Sequence, residues 1–317
     1  MSDTLEIGGL IAASGRMRAA AFVELAKPRI LFLVLVATAS GFYLGLPLNF
    51  PWGLSLGSPL GMDGSSWLRL VHVILGTALV VAGSNALNQY LEVPHDARMA
   101  RTADRPLPSG RLNGSEALAF GAITGVVGVL YLALTSNLVT GMLAALSFLN
   151  YVFVYTPLKR RTTFCVYVGA VSGALPPVIG WSAAVGSVGV EAWLLFGILF
   201  LWQLPHFSSI AWLYREDYAR AGYAMIPVVD QRGIRSDMHL ITHTVALLAV
   251  SLLPALRGTS GPMYALGAMG LGAAFLAFGA LFVGNKTPRM ARCHVLASIV
   301  YLPLLFATMM LDKALAP

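Results

Sequence analysis

Nine stretches of this chain each run for about the 20 residues of a membrane crossing with almost no charge. That spacing constrains the fold more than any other feature. The stretches lie at about 30–46, 68–90, 115–134, 138–155, 164–184, 192–213, 238–256, 263–283 and 292–311. Each is long enough to cross lipid as a helix, where every backbone polar group must be satisfied within the segment. The chain is 57% hydrophobic and 11% charged, against about a quarter charged in ordinary soluble domains. Its mean hydropathy is +0.74. The expected fold class is therefore all-α: a polytopic membrane protein of nine transmembrane helices. The short link Thr135-Ser136-Asn137 makes the third and fourth spans antiparallel neighbours.

The net charge of +7 would suit a nucleic-acid binder, but the distribution of the charges argues against one. With nine spans, 18 of the 21 basic residues fall in connections on one side. Only Arg69, Arg257 and Lys313 fall on the other. By the positive-inside rule this places the N-terminus in the cytosol and the C-terminus outside. The apolar patch IGGLIAAS precedes the first arginines instead of following them, so it does not read as a secretory signal. Residues 1–29 read as a cytosolic segment and 30–313 as one nine-helix domain, with a bacterial inner membrane as the expected site. The link over 47–67 is rich in Gly, Pro and Ser and carries no evident chemistry. Cys165 and Cys293 lack metal or redox spacing and read as small apolar residues.

Charge returns abruptly in NQYLEVPHDARMARTADRPL, residues 88–107. Asn88, Glu92 and Asp96 are spaced i, i+4, i+8, which places them on one helix face at the end of a span. Oxygen ligands in such a set suit Mg²⁺, which takes one or two carboxylates and completes its shell with water and phosphate. Pro94 should bend or end the helix near Tyr90–Glu92 and leave Asp96 to a loop. Arg98, Arg101 and Arg105 follow, and guanidinium forks match phosphate oxygens. The plain alternative is a solvated loop whose arginines only mark topology. A second acidic group, Glu216 and Asp217, leaves the sixth span beside Arg215 and Arg220. It is expected on the same side, where it would share the metal. Lys159, Arg160 and Arg161 lie there too, as groups that receive phosphate or as topology signals.

These segments resemble a known set. NxxxExxxD followed by ARTADRPLPSG is similar to the first signature of the UbiA superfamily of intramembrane prenyltransferases, usually NDxxDxxxD. Here Gln89 and Glu92 replace two of its residues. YTPLKRRT…GALPPVIGW and LWQLPHF…AWLYREDYARAGYAMIPVVD are similar to the haem branch of that superfamily, where EDYxxAG stands in place of DxxxD. The resemblance covers about residues 25–310. It implies nine helices around a central cavity open to the membrane. It also implies transfer of a farnesyl group from farnesyl diphosphate to a vinyl group of haem b, with water added, giving haem O and diphosphate.

In that reaction Asn88, Glu92, Asp96, Glu216 and Asp217 would hold Mg²⁺ on the diphosphate. Arg98, Arg101, Arg105, Lys159 and Arg160 would neutralise the rest of its charge. An allylic cation would follow, and the faces of Tyr90, Tyr151 or Tyr155 could stabilise it or serve only as interfacial anchors. Of six histidines, His206 in WQLPHF is the first candidate for contacting haem, with Trp202 and Gln203 beside it; a structural histidine is the competing reading, and His72 is the weaker candidate. The lipid bilayer is an expected partner, with haem A synthase or haem-copper oxidase assembly factors as the protein candidates and no nucleic acid. A quinone-precursor prenyltransferase would carry the DxxxD motif. A transporter would place ionisable groups at the bilayer midplane. A haem chaperone would need no metal and diphosphate motifs.

Overall fold

The computed structural model of the protein describes residues 17–47 and 62–315. The IGGLIAAS patch, Arg16 and most of the 47–67 link lie outside the described residues. The regular structure among the described residues is helical, with no strand, and nine of these helices are long and apolar enough to cross a membrane. The spans are Pro28–Gly45, Gly64–Asp96, Gly114–Thr135, Leu138–Leu158, Cys165–Val185, Val190–Leu213, Ile234–Leu256, Pro262–Gly284 and Pro288–Leu315. Each matches one of the nine apolar stretches of the sequence. A short helix over 17–25 precedes them and buries Ala21 and Leu25 against Ala86, Leu107 and Leu112.

The second span is the longest, at 33 residues. At 1.5 Å per residue it reaches about 50 Å, beyond a hydrocarbon core of about 30 Å. Its surplus carries Asn88, Glu92 and Asp96 beyond the apolar run. Asp63 caps its start by accepting from the Ser66 backbone N–H at 2.8 Å. Contrary to the expectation from sequence, the helix passes through Pro94 and ends at Asp96. Pro94 lies in the final turn, where few further backbone bonds depend on it, and Ala97 still donates to the Val93 carbonyl at 3.1 Å.

The first and fifth spans meet at backbone contact. A Cβ on Gly41 would lie 2.0 Å from the Pro177 carbonyl oxygen, and one on Gly180 would lie 1.9 Å from that of Thr38. Lipid supplies no hydrophobic drive between helices, so such close packing of small residues provides the attraction instead. The fourth span ends in a π-helical stretch, Asn150–Tyr155. Asn150 pins this wide turn by donating to the Val168 carbonyl at 2.8 Å and to Ser172 Oγ at 2.6 Å on the fifth span.

The three basic residues that break the charge segregation have structural work. Lys313 donates to the carbonyls of Leu44 and Leu46, at 2.5 and 2.6 Å, at the C-terminal end of the first span. Arg69 reaches the Ala184 carbonyl at 3.2 Å near the end of the fifth. Arg257 is the C-cap of the seventh. All three sit where a helix exposes its last carbonyls and the negative end of its dipole.

Candidate active site

The site forms where the polar end of the second span meets the fourth span and the chain before the first. Asn88, Glu92 and Asp96 are buried on one face, at 1%, 5% and 1% exposure. Each is held by a cation or a hydroxyl. Lys27 donates to Asn88 Oδ1 at 3.0 Å, and Asn88 Nδ2 donates to Thr156 Oγ1 at 3.0 Å. Lys159 bridges to Glu92 Oε1 at 2.8 Å. Arg105 bridges to Asp96 Oδ2 at 2.6 Å. Three cations thus face two carboxylates, leaving a local excess of positive charge.

The charges on these groups respond to that crowding. Burial, with the nearby charges of Arg105 and Lys159, brings the Lys27 ammonium down to about 7. Burial also opposes the charge on Lys159, but Glu92 outweighs it and holds the ammonium well above its ordinary value. Burial and the Glu92 charge push the Tyr223 phenol up. Lys27 is the only described non-glycine residue with positive φ, at 54°. That left-handed turn lets the chain leave the helix over 17–25 and start the first span at Pro28, and it sits the lysine over Asn88.

The fourth span's π turn brings further groups. Thr156 Oγ1 donates to the Tyr151 carbonyl at 2.8 Å. The Tyr155 ring lies 4.6 Å under the Lys159 ammonium and 5.3 Å from the Tyr151 ring. Tyr90 is elsewhere, beside Gly114. A cavity of about 70 Å³ opens among Glu92, His95, Thr156, Arg160 and Tyr223.

The second acidic segment docks on the first through other residues than its acids. His95 donates from Nδ1 to the Ala221 carbonyl at 2.8 Å, and its Nε2 faces Arg160 at 3.2 Å. Arg101 lies 4.7 Å from the Tyr214 ring and donates to the Tyr218 hydroxyl at 3.3 Å. Asp217 pairs with Arg220 in its own helix. The Glu216 side chain is 80% exposed, with Arg215 at 3.7 Å. Arg98 is exposed. Among the described residues no group of three or more His, Cys, Asp and Glu side chains could hold a metal ion. Mg²⁺ asks for less, since one or two carboxylates suffice when a phosphate completes its shell. One feature fits it. Asp96 Oδ1 is buried without any hydrogen-bond partner, and a carboxylate oxygen left so is costly until a cation meets it.

The residues considered for haem divide. His206 places Nδ1 2.6 Å from Ser298 Oγ and stacks on Trp202, with ring centroids 4.9 Å apart. Gln203 spends its amide on the Ala170 and Leu199 carbonyls, at 3.1 and 3.0 Å. His72 lies far along the second span from Asp96, against the Tyr131 hydroxyl at 2.6 Å. Sequence reasoning missed Lys27, His95, Thr156 and Tyr223 as members of the site. Lys27 had a signal as a lysine directly before the proline that opens a span, and His95 lies beside Asp96 in the 88–107 stretch; Thr156 and Tyr223 lie in the other two motif segments, and only folding brings those segments together.

The sequence profile of the UbiA prenyltransferase family matches residues 34–300. A protoheme IX farnesyltransferase of Solibacter usitatus is 46% identical over 92% of this chain and 98% of its own length. A UbiA homologue from Aeropyrum pernix superposes with a TM-score of 0.67 at 16% identity, over 89% of this chain and 98% of that one. A UbiA homologue from Archaeoglobus fulgidus, solved with GPP and Mg²⁺, superposes with a TM-score of 0.61 at 14% identity, over 91% and 99%. Profile, relatives and fold agree on one conclusion: the chain belongs to the UbiA prenyltransferase family.

Proposed function

We propose that this integral membrane protein is a prenyltransferase that moves the farnesyl group of farnesyl diphosphate onto a vinyl group of haem b. Water adds to the same vinyl group, and haem O and diphosphate leave. The acceptor and donor follow from the 46% identical protoheme IX farnesyltransferase. The observation that carries the chemistry is the buried ladder of Asn88, Glu92 and Asp96, faced by Lys27, Lys159 and Arg105.

Leaving of diphosphate is mainly a problem of charge separation, so groups that hold the leaving group lower the barrier. Lys159 and Arg105 are already fixed by their carboxylates, and Lys27 by Asn88, so little reorganisation remains when an anion arrives. Arg101, Arg160 and Arg98 stand at the rim to take the outer phosphate. Asp96 and Glu92 would hold Mg²⁺, with Asn88 beside them; Asp217 would join only by leaving Arg220, and Glu216 only by leaving the solvent-exposed position it now holds. When bound, the ion would neutralise the diphosphate. Tyr155, already lying beneath one cation, presents a face suited to an allylic cation. His206 and Trp202 are the haem contacts in this reading, with Gln203 tying their helix to the fifth span.

The domain runs over 30–313, with 1–29 as a cytosolic segment. The basic side lies in the cytosol of a bacterium whose inner membrane holds the protein. Haem A synthase or oxidase-assembly factors receive the product. Purified protein incubated with haem b, farnesyl diphosphate and Mg²⁺ should yield a farnesylated, hydrated haem by mass spectrometry, and chelation of the metal should stop the reaction. Farnesylation of a quinone precursor in place of haem would overturn the acceptor.

A further inference from the structure

Three histidines of the bundle can be sorted by which ring nitrogen carries the proton. Ser298 Oγ donates to the Val295 carbonyl at 2.6 Å. Its single proton is thereby spent, so at His206 Nδ1, 2.6 Å away, Ser298 can only accept. His206 is fixed as the Nδ1–H tautomer, with its lone pair on Nε2. His239 is fixed the same way, because Ser208 spends its proton on the Leu204 carbonyl at 2.8 Å. His243 donates from Nδ1 to the His239 carbonyl at 2.6 Å.

The fates of the three lone pairs differ. His239 Nε2 is enclosed, with no partner, and a porphyrin face cannot approach it. His243 Nε2 faces the Tyr167 hydroxyl at 3.4 Å. His206 Nε2 is neither enclosed without a partner nor engaged in a hydrogen bond. His206 lies seven residues before the end of the sixth span at Leu213, about 10 Å below it. The Ser298 carbonyl also accepts from Trp202 Nε1 at 2.8 Å. One residue of the ninth span therefore orients both the imidazole and the indole stacked on it.

We infer that Ser298 is a positioning residue for the acceptor: it holds His206 in the tautomer and orientation that offer Nε2 to the iron of haem. An imidazole that ligates iron through one nitrogen is aligned by the hydrogen bond at the other, and loss of that bond weakens metal affinity. Iron in a porphyrin already has four nitrogens and needs only one or two from the protein, which suits a bundle with no described trio of metal-binding side chains. The inference rests on the proposed haem contact at His206.

The test uses full-length protein in lipid nanodiscs, titrated with haem b and followed by absorption spectroscopy. Ser298→Ala should shift the bound-haem spectrum and weaken haem binding about 10- to 100-fold, leaving KM for farnesyl diphosphate unchanged. Ser298→Thr should restore both spectrum and affinity. Iron-free protoporphyrin IX should bind Ser298→Ala as it binds the wild type. Equal haem spectra and affinities for wild type and Ser298→Ala would overturn the inference. So would an equal loss of protoporphyrin, or of farnesyl diphosphate, because either marks a general packing defect. His206→Ala separates the two readings. An unchanged spectrum in that variant removes the haem contact itself, whereas a changed one beside a silent Ser298→Ala removes only the role of Ser298.

Discussion

At the scale of single residues, Asp96 and Lys27 carry the sharpest consequences. Asp96 has one oxygen on Arg105 and one with no partner. Replacing it with alanine removes the free oxygen and loosens Arg105, so kcat should fall at least about a hundredfold. Steady-state turnover decides this, and wild-type activity would dismiss Asp96 from the site. Lys27 predicts a pH dependence. Its proton leaves near 7 in the folded protein and near 10.5 in an unfolded chain, so between those values stability from this group rises with pH. An arriving diphosphate reverses the preference and favours the ammonium. Binding then takes up a proton above pH 7, and the affinity for pyrophosphate should fall with a slope approaching about one log unit per pH unit. Lys27→Arg keeps its charge and should flatten that slope. A calorimetric titration from pH 6 to 9 measures it, and identical slopes in both proteins would contradict the assignment.

Among the elements, the π turn of the fourth span decides where Tyr155, Thr156 and Lys159 point. A widened turn inserts one residue into the helical register, which rotates everything after it by about 100°. Asn150 holds that turn against the fifth span through two hydrogen bonds. Asn150→Leu should let the turn relax toward α-helix and swing Lys159 away from Glu92. KM for farnesyl diphosphate should then rise about tenfold, while the protein still reconstitutes. Unchanged KM would show that the turn does not set the site. The sequence displayed the i, i+4, i+8 ladder of Asn88, Glu92 and Asp96 because helical periodicity is local. It could not display the π turn, since NYVFVY carries no composition that demands one. Pro94 misled for a related reason: its effect depends on how many helix bonds follow it, and here almost none do.

For the molecule as a whole, the closeness of the first and fifth spans is the most exposed dependency. Gly180→Ala places a methyl 1.9 Å from the Thr38 carbonyl oxygen, so the spans must part. Overpacking of this kind costs about 1–3 kcal/mol. The thermal midpoint in detergent should fall measurably, whereas Gly270→Ala, with nothing within 4 Å, should leave it where it was. Equal midpoints would mean that the contact is not a determinant of stability.

By itself the sequence determined the solvent, the count of spans and the first acidic ladder. Those follow from lengths of apolar chain and from periodicity within one helix, both properties of neighbours along the backbone. The segregation of basic residues was equally plain, and so were its three exceptions, though not their reason. Only the tertiary structure decided that Lys27 sits on Asn88, that Thr156 and Tyr223 line the same cavity, and that Ser298 meets His206. These pairs lie 61 residues apart for Lys27 and Asn88 and 92 apart for His206 and Ser298. No local pattern encodes such meetings. They arise because helices in lipid approach wherever small residues allow, and the polar groups then left inside must find each other or pay the cost of isolation.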